Sequence, residues 1–161
     1  MSQYSTVEGT KHQEQTQRTR EFIEALFTKK EDWDRAFPAA LSDDLIWTTN
    51  GSSPISGRYT SKQDYVDRVL KPMHEIVDKL PAPTVKHTFV DGYWAVVHWR
   101  CEGVKAKNGA NYDQDYCWLL RTNGQAENKI VEILSWFDPN RLSAALEGTG
   151  VTFPGAQSRI E

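Results

Sequence analysis

The feature that most constrains this chain is a change of hydrophobic period near its middle. Up to Pro81 and Pro83 the apolar residues recur every three or four positions; beyond them apolar and polar residues alternate. A period of 3.6 gives a helix with one buried face, and a period of 2 gives a strand with one buried face. Helices collected in the first half and strands in the second is the α+β layout, with helices covering one face of an antiparallel sheet. At 161 residues the chain has the length of one domain. We read 1–12 as a polar N-terminal segment, 13–147 as the domain and 148–161 as a C-terminal tail.

In the helical half, spacing begins near Gln13 and strengthens through Phe22, Ile23, Leu26 and Phe27. A second short helix is predicted over Trp33–Leu41, bent by Pro38, followed by a strand at Leu45–Thr49. Ser61 with Asp64 three residues on resembles a capping box and opens a long amphipathic helix. Pro72 removes a backbone donor and predicts a kink there. The strands predicted in the second half are Thr84–Val90, Tyr93–Gly103, Asn111–Arg121 and Lys129–Asp138, with Asp91-Gly92 turning the first into the second. Pro139 starts a last short helix that runs to Leu146.

Alternation then assigns faces. In Tyr93–Gly103 the apolar set Tyr93, Ala95, Val97, Trp99 and Cys101 points toward the helices, and His98, Arg100 and Glu102 point away. The same rule turns Val85, His87 and Phe89 inward in the preceding strand, and Tyr112, Gln114, Tyr116, Trp118 and Leu120 inward in the following one. In the last strand it selects Val131, Ile133, Ser135 and Phe137. Polar tips among apolar walls, joined by Trp47 and Thr49, describe a small-molecule pocket. Trp94, Val96 and Trp136 fall on the outer face, which suggests a homodimer through that surface.

Composition narrows the functions. A net charge of -3 with no clustering of basic residues argues against nucleic acid. No apolar run reaches the roughly 20 residues of a membrane span, and the polar N-terminus lacks a signal-peptide core. The two cysteines, Cys101 and Cys117, read as buried thiols in a reducing compartment, so the expected location is cytoplasmic. No metal-ligand spacing is present, and neither a metal nor another cofactor is expected. Six Trp, six Tyr and six Phe supply enough aromatic surface to line a pocket for an apolar guest.

Asp43-Asp44-Leu45-Ile46-Trp47, Pro54-Ile55-Ser56-Gly57 and the run from Tyr112-Asp113-Gln114-Asp115-Tyr116 to Trp136-Phe137-Asp138 resemble SnoaL-like and ketosteroid-isomerase-like proteins of the nuclear transport factor two-like superfamily. The resemblance implies a curved antiparallel sheet wrapped around helices to form a conical pocket, often dimeric through the sheet. It carries over few catalytic groups. The isomerase base falls near Thr48 and Thr49, its tyrosine donor on Phe22, and its protonated Asp near Tyr116. A limonene-epoxide-hydrolase-like site aligns Trp47 and Thr49 with its Tyr and Asn, while its charged triad falls near Trp99, Cys101 and Ser135. A register shift of one would offer Arg100, Glu102 and Asp115 instead. His87 resembles a scytalone-dehydratase histidine, and Tyr112 with Tyr116 resembles the paired tyrosines of fungal isomerases.

Imidazole is the side chain suited to proton exchange near neutrality. The expectation is therefore a cofactor-free isomerase, dehydratase or cyclase for a small, largely apolar organic molecule of secondary metabolism. His87 would shuttle a proton while Tyr116 and Tyr112 donate to oxygen. Trp47, Thr49, Trp99, Gln114, Trp118, Ser135 and Phe22 would hold the substrate. The alternatives are a non-catalytic ligand-binding or association module of the same fold and an epoxide-hydrolase-like enzyme.

Overall fold

The computed structural model describes residues 3–154; residues 1–2 and the end of the expected tail, 155–161, lie outside the described residues. Helix α1 (Gln3–Phe27) starts well before the position where apolar spacing begins. Residues 6–14 are all exposed, so no buried face announced its first half. After a 3-10 turn at Lys30–Asp32 come α2 (Trp33–Ala40), β1 (Leu41–Thr49) and β2 (Gly57–Tyr59). The helix predicted from Ser61 is a composite of α3 (Lys62–Tyr65), a π turn (Val66–Leu70) and α4 (Lys71–Ile76). The wider π turn ends where Pro72, at the start of α4, withholds its N–H, so the missing donor is absorbed in the turn before it. Then follow β3 (Thr84–Asp91), β4 (Trp94–Cys101), β5 (Gln114–Thr122), β6 (Ile130–Phe137) and α5 (Pro139–Leu146).

The six strands form one curved mixed sheet in the order β2-β1-β6-β5-β4-β3, with helices on its inner face. The α+β fold class is as expected, with one difference in strand direction. β1 lies parallel to β6, Trp47 opposite Ile133 and Thr49 opposite Ser135, whereas every other pair is antiparallel. Hairpin signals place neighbours in sequence, and this pair is closed only by the whole length of chain between β1 and β6.

Faces follow alternation in β4 and β5. Ala95, Val97, Trp99 and Cys101 are buried, as are Gln114, Tyr116, Trp118 and Leu120. β3 does not follow it. Val85 pairs with Trp99, but His87 pairs with His98, so Lys86 is an extra residue in β3. A bulge of one residue reverses the parity of everything beyond it. His87 and Phe89 therefore lie on the outer face, Thr88 and Val90 turn toward the core, and Val85 is itself exposed at this edge strand. A second register shift between Arg121 and Thr122 brings Ile130 into the core and leaves Val131 half-buried. Cys117 is also exposed, opposite His98, so only Cys101 meets the expectation of a buried thiol.

At the mouth of the helical layer, Ser61 caps α3 by accepting the Asp64 N–H at 3.0 Å, as the capping pattern predicts. Asp64 accepts the Thr60 N–H and is gripped twice by Arg68, at 2.7 and 2.9 Å. The Arg68 guanidinium lies 4.6 Å above the Tyr59 ring, which ties β2 to the composite helix. Among the described residues no helix is long and apolar enough to cross a membrane.

Candidate functional site

The concave face of the sheet and the helices above it enclose a cavity of about 90 Å³. A single water needs roughly 10–15 Å³ of such space, so the cavity has room for a small organic guest. Three layers of chain build it. The sheet contributes Trp47, Thr49, Trp99, Tyr116, Trp118 and Ser135, while Tyr112 comes from the segment leading into β5. The composite helix contributes Tyr65, Val69 and Met73, and α2 closes the mouth with Trp33, Asp34 and Phe37.

The rings brace one another. Trp47 stacks on Tyr65 at 3.9 Å and Trp99 on Tyr116 at 4.0 Å, with Trp118 edge-on to both tryptophans. Trp33 and Phe37, one helical turn apart on α2, stack at 4.8 Å and continue the wall outward. Such geometries add roughly 0.5–1.5 kcal/mol per pair beyond the area they bury. They also fix the walls, so the space between them is set by the sequence.

Polar atoms at the cavity divide into those already matched and those still available. The Trp47 Nε1–H donates to Ser135 Oγ at 2.9 Å, and Ser135 Oγ in turn lies 3.3 Å from Thr49 Oγ1. Those groups hold β1 to β6. Tyr112 and Tyr116 adjoin in the lining, and each phenol perturbs the ionisation of the other. Among the described residues the Trp99 Nε1–H is buried and has no hydrogen-bond partner. Burial pushes the Tyr65, Tyr112 and Tyr116 phenols well up from the ordinary tyrosine range, so each is a neutral donor rather than a base.

Seven of the ten residues expected at the site line this cavity: Tyr112, Tyr116, Trp47, Thr49, Trp99, Trp118 and Ser135. Three do not. Phe22 is half-buried beside the core on α1. Gln114 is buried, and its Oε1 accepts the Asp138 N–H at 3.0 Å. His87 is on the opposite face of the sheet, where its Nδ1 lies 3.0 Å from His98 Nδ1. His98 Nε2 is 2.9 Å from Asp115, and Arg100 donates to the same carboxylate at 2.7 Å. The His98 contact, followed by Arg100, holds the Asp115 carboxyl below its usual range. Arg100, Glu102 and Asp115 thus belong to the outer face, and the shifted register that would have turned them inward is not adopted. Sequence reasoning overlooked Trp33, Asp34 and Phe37 as site residues. Their i, i+4 spacing was visible, but nothing in it showed that α2 caps the open end of the cone. Among the described residues no group of three or more His, Cys, Asp or Glu is placed to hold a metal ion.

The buried phenols make a prediction about alkaline stability. Burial raises Tyr65, Tyr112 and Tyr116 well above their unfolded value and Tyr59 to about 12. A raised acid favours the fold fully below the unfolded value of about 10 and loses that advantage as pH climbs past it. Stability should therefore fall from about pH 10 upward. Phenolate absorbance should rise together with loss of the far-ultraviolet circular dichroism signal; full ionisation of all tyrosines in a still-folded protein would contradict the assignment.

The comparisons with known proteins agree with this geometry. A family model described as a SnoaL-like domain matches residues 19–133. Among solved structures, an NTF2-like protein from Burkholderia thailandensis is 17% identical, covers 80% of this chain and 97% of its own, and has a TM-score of 0.64. A protein of unknown function with a cystatin-like fold from Xanthomonas campestris is 21% identical, covers 79% of this chain and 96% of its own, at a TM-score of 0.60. A protein with a ketosteroid isomerase-like fold from Catenulispora acidiphila, in complex with trimethylamine, is 15% identical over 72% of this chain and 81% of its own, at 0.51. At these identities the likeness is one of fold. No curated protein matches the chain. With more than half of its length matched and the sheet, helices and cone in place, the chain belongs to the SnoaL-like family, and its fold is NTF2-like.

Proposed function

We propose that the cone binds a small, largely apolar organic molecule carrying an oxygen that accepts hydrogen bonds. The observation that supports this most strongly is the set of neutral donors in an otherwise aromatic cavity. The Trp99 indole N–H has no partner among the described residues, and the Tyr112 and Tyr116 phenols of the same lining stay protonated. A buried donor left without a partner costs roughly 1–3 kcal/mol, so a guest oxygen that accepts from it recovers free energy that a hydrocarbon does not. The aromatic walls bury the rest of the guest.

Acetophenone and ethylbenzene, matched in size and differing in one carbonyl, test this by calorimetric titration. Both should bind, the ketone more tightly. Tyr112→Phe should weaken the ketone by roughly 2- to 10-fold, the size of one hydrogen bond, and leave ethylbenzene unchanged. Equal loss for both probes, or binding of neither, would overturn the reading.

A second reading, an isomerase-type enzyme, is favoured by one specific observation: a carboxylate, Asp34, lines the same cavity as the phenolic donors. In that reading Asp34 takes a proton from the carbon beside a carbonyl, and the phenols hold the charge that develops on oxygen. His87 has no part in it, because the sheet separates it from the cavity. Acetophenone in heavy water should then exchange its methyl protons faster with the protein than without it, and Asp34→Asn should abolish the acceleration. No acceleration would leave binding alone.

A further inference from the structure

The charge of the cavity lining is unbalanced. Asp34, in the first turn of α2, is the one formally charged residue among the lining residues, and the tyrosines beside it are neutral. Among the described residues Asp34 has no ion pair and no side-chain hydrogen bond, although cations are close to it along the chain. Arg35 is committed to Asp32, with both carboxylate oxygens within 3.1 Å. Lys30 Nζ donates to the Thr84 hydroxyl at 2.8 Å, and Lys129 Nζ to the Ala39 carbonyl at 2.7 Å, at the far end of α2. These three cations are thus engaged elsewhere, and the Asp34 carboxylate is left for something else to meet.

What stands next to it is aromatic. Trp33 and Phe37 flank Asp34 on α2, and Trp118 lies 5.2 Å from Phe37, centre to centre. Aromatic faces attract cations electrostatically and reject anions. A carboxylate beside such faces attracts the same guests for a second reason, and neither feature favours a neutral guest over a charged one. An anionic guest would meet both the carboxylate and the negative ring faces without a compensating cation in the lining.

We propose that the cone takes small organic amines in preference to neutral molecules of the same shape, with the ammonium group at Asp34 and the carbon skeleton among the aromatic walls. This rests on the reading of the cone as a binding site and specifies the charge of what it binds.

The probes are benzylamine, protonated at neutral pH, and benzyl alcohol, its neutral near-isostere, each titrated calorimetrically at low salt into the protein and into Asp34→Asn. Asp34 is exposed, and unchanged circular dichroism and melting temperature will show that the variant is folded. The expected result is benzylammonium binding about tenfold more tightly than the alcohol, from an exposed ion pair together with a cation–aromatic contact. The advantage should shrink as salt is added and fall severalfold in Asp34→Asn, to the part the cation–aromatic contact supplies, with alcohol affinity unchanged. Equal binding of the two probes, or tighter binding of the alcohol, would overturn the amine preference and leave the cavity reading standing. An ammonium advantage that is undiminished in Asp34→Asn would overturn the role of the carboxylate. Binding of neither probe would remove the cavity reading and this inference with it.

Discussion

The cone depends on one side chain more than on any other. Trp47 stands on β1 at the only parallel junction of the sheet, where its indole N–H reaches across to Ser135 Oγ on β6 at 2.9 Å. The same ring lies flat on Tyr65 of the composite helix, 3.9 Å away and within 8° of parallel. One residue therefore sets the spacing of two strands and the height of the helix above them. Phe37 and Trp118 meet its face edge-on, at 5.9 and 5.2 Å, so α2 and β5 are referenced to the same ring. Because packed interiors resist small shifts, the cavity left between these contacts has a defined shape.

Within that frame the chemistry follows from what is and is not satisfied. Ser135 and Thr49, which look like site polar groups in the sequence, are occupied in holding the junction together. Tyr112, Tyr116 and Trp99 bring neutral donors to the lining, and the Trp99 N–H has no partner among the described residues. Desolvation keeps the phenols protonated, since a phenolate in this apolar setting would have no cation to meet. The proposed recognition of an oxygen rests on these neutral donors, and the one carboxylate of the lining sits on α2.

Much of this was legible in the sequence. The switch of period at Pro81–Pro83 marked where the helical half gives way to β3–β6, although β1 and β2 precede it and α5 follows, and the family resemblance described the architecture that the family match supports. Strict alternation identified the buried faces of β4 and β5, and with them Trp99, Tyr116 and Trp118. The failures have specific causes. Lys86 is one extra residue in β3, and a bulge leaves no mark in a period-2 pattern, so His87 was turned to the wrong face. The parallel junction of β1 with β6 involves strands far apart in sequence, which no local signal pairs. α2 was recognised as a helix, but where a helix sits over a sheet is decided by tertiary packing; Asp34 was therefore missed.

The central claim, that the cone is an accessible site for a small guest, can be tested most directly with a probe inside it. The chain has two methionines, and Met73 lines the cavity with its side chain buried. With methyl-13C methionine, the Met73 resonance should shift saturably as acetophenone is added, because a ring entering the cone lies against that methyl group. The Met73 signal is assigned as the one lost in Met73→Leu. A Met73 signal that stays fixed at concentrations where the ketone binds would place the guest elsewhere, and would contradict the account.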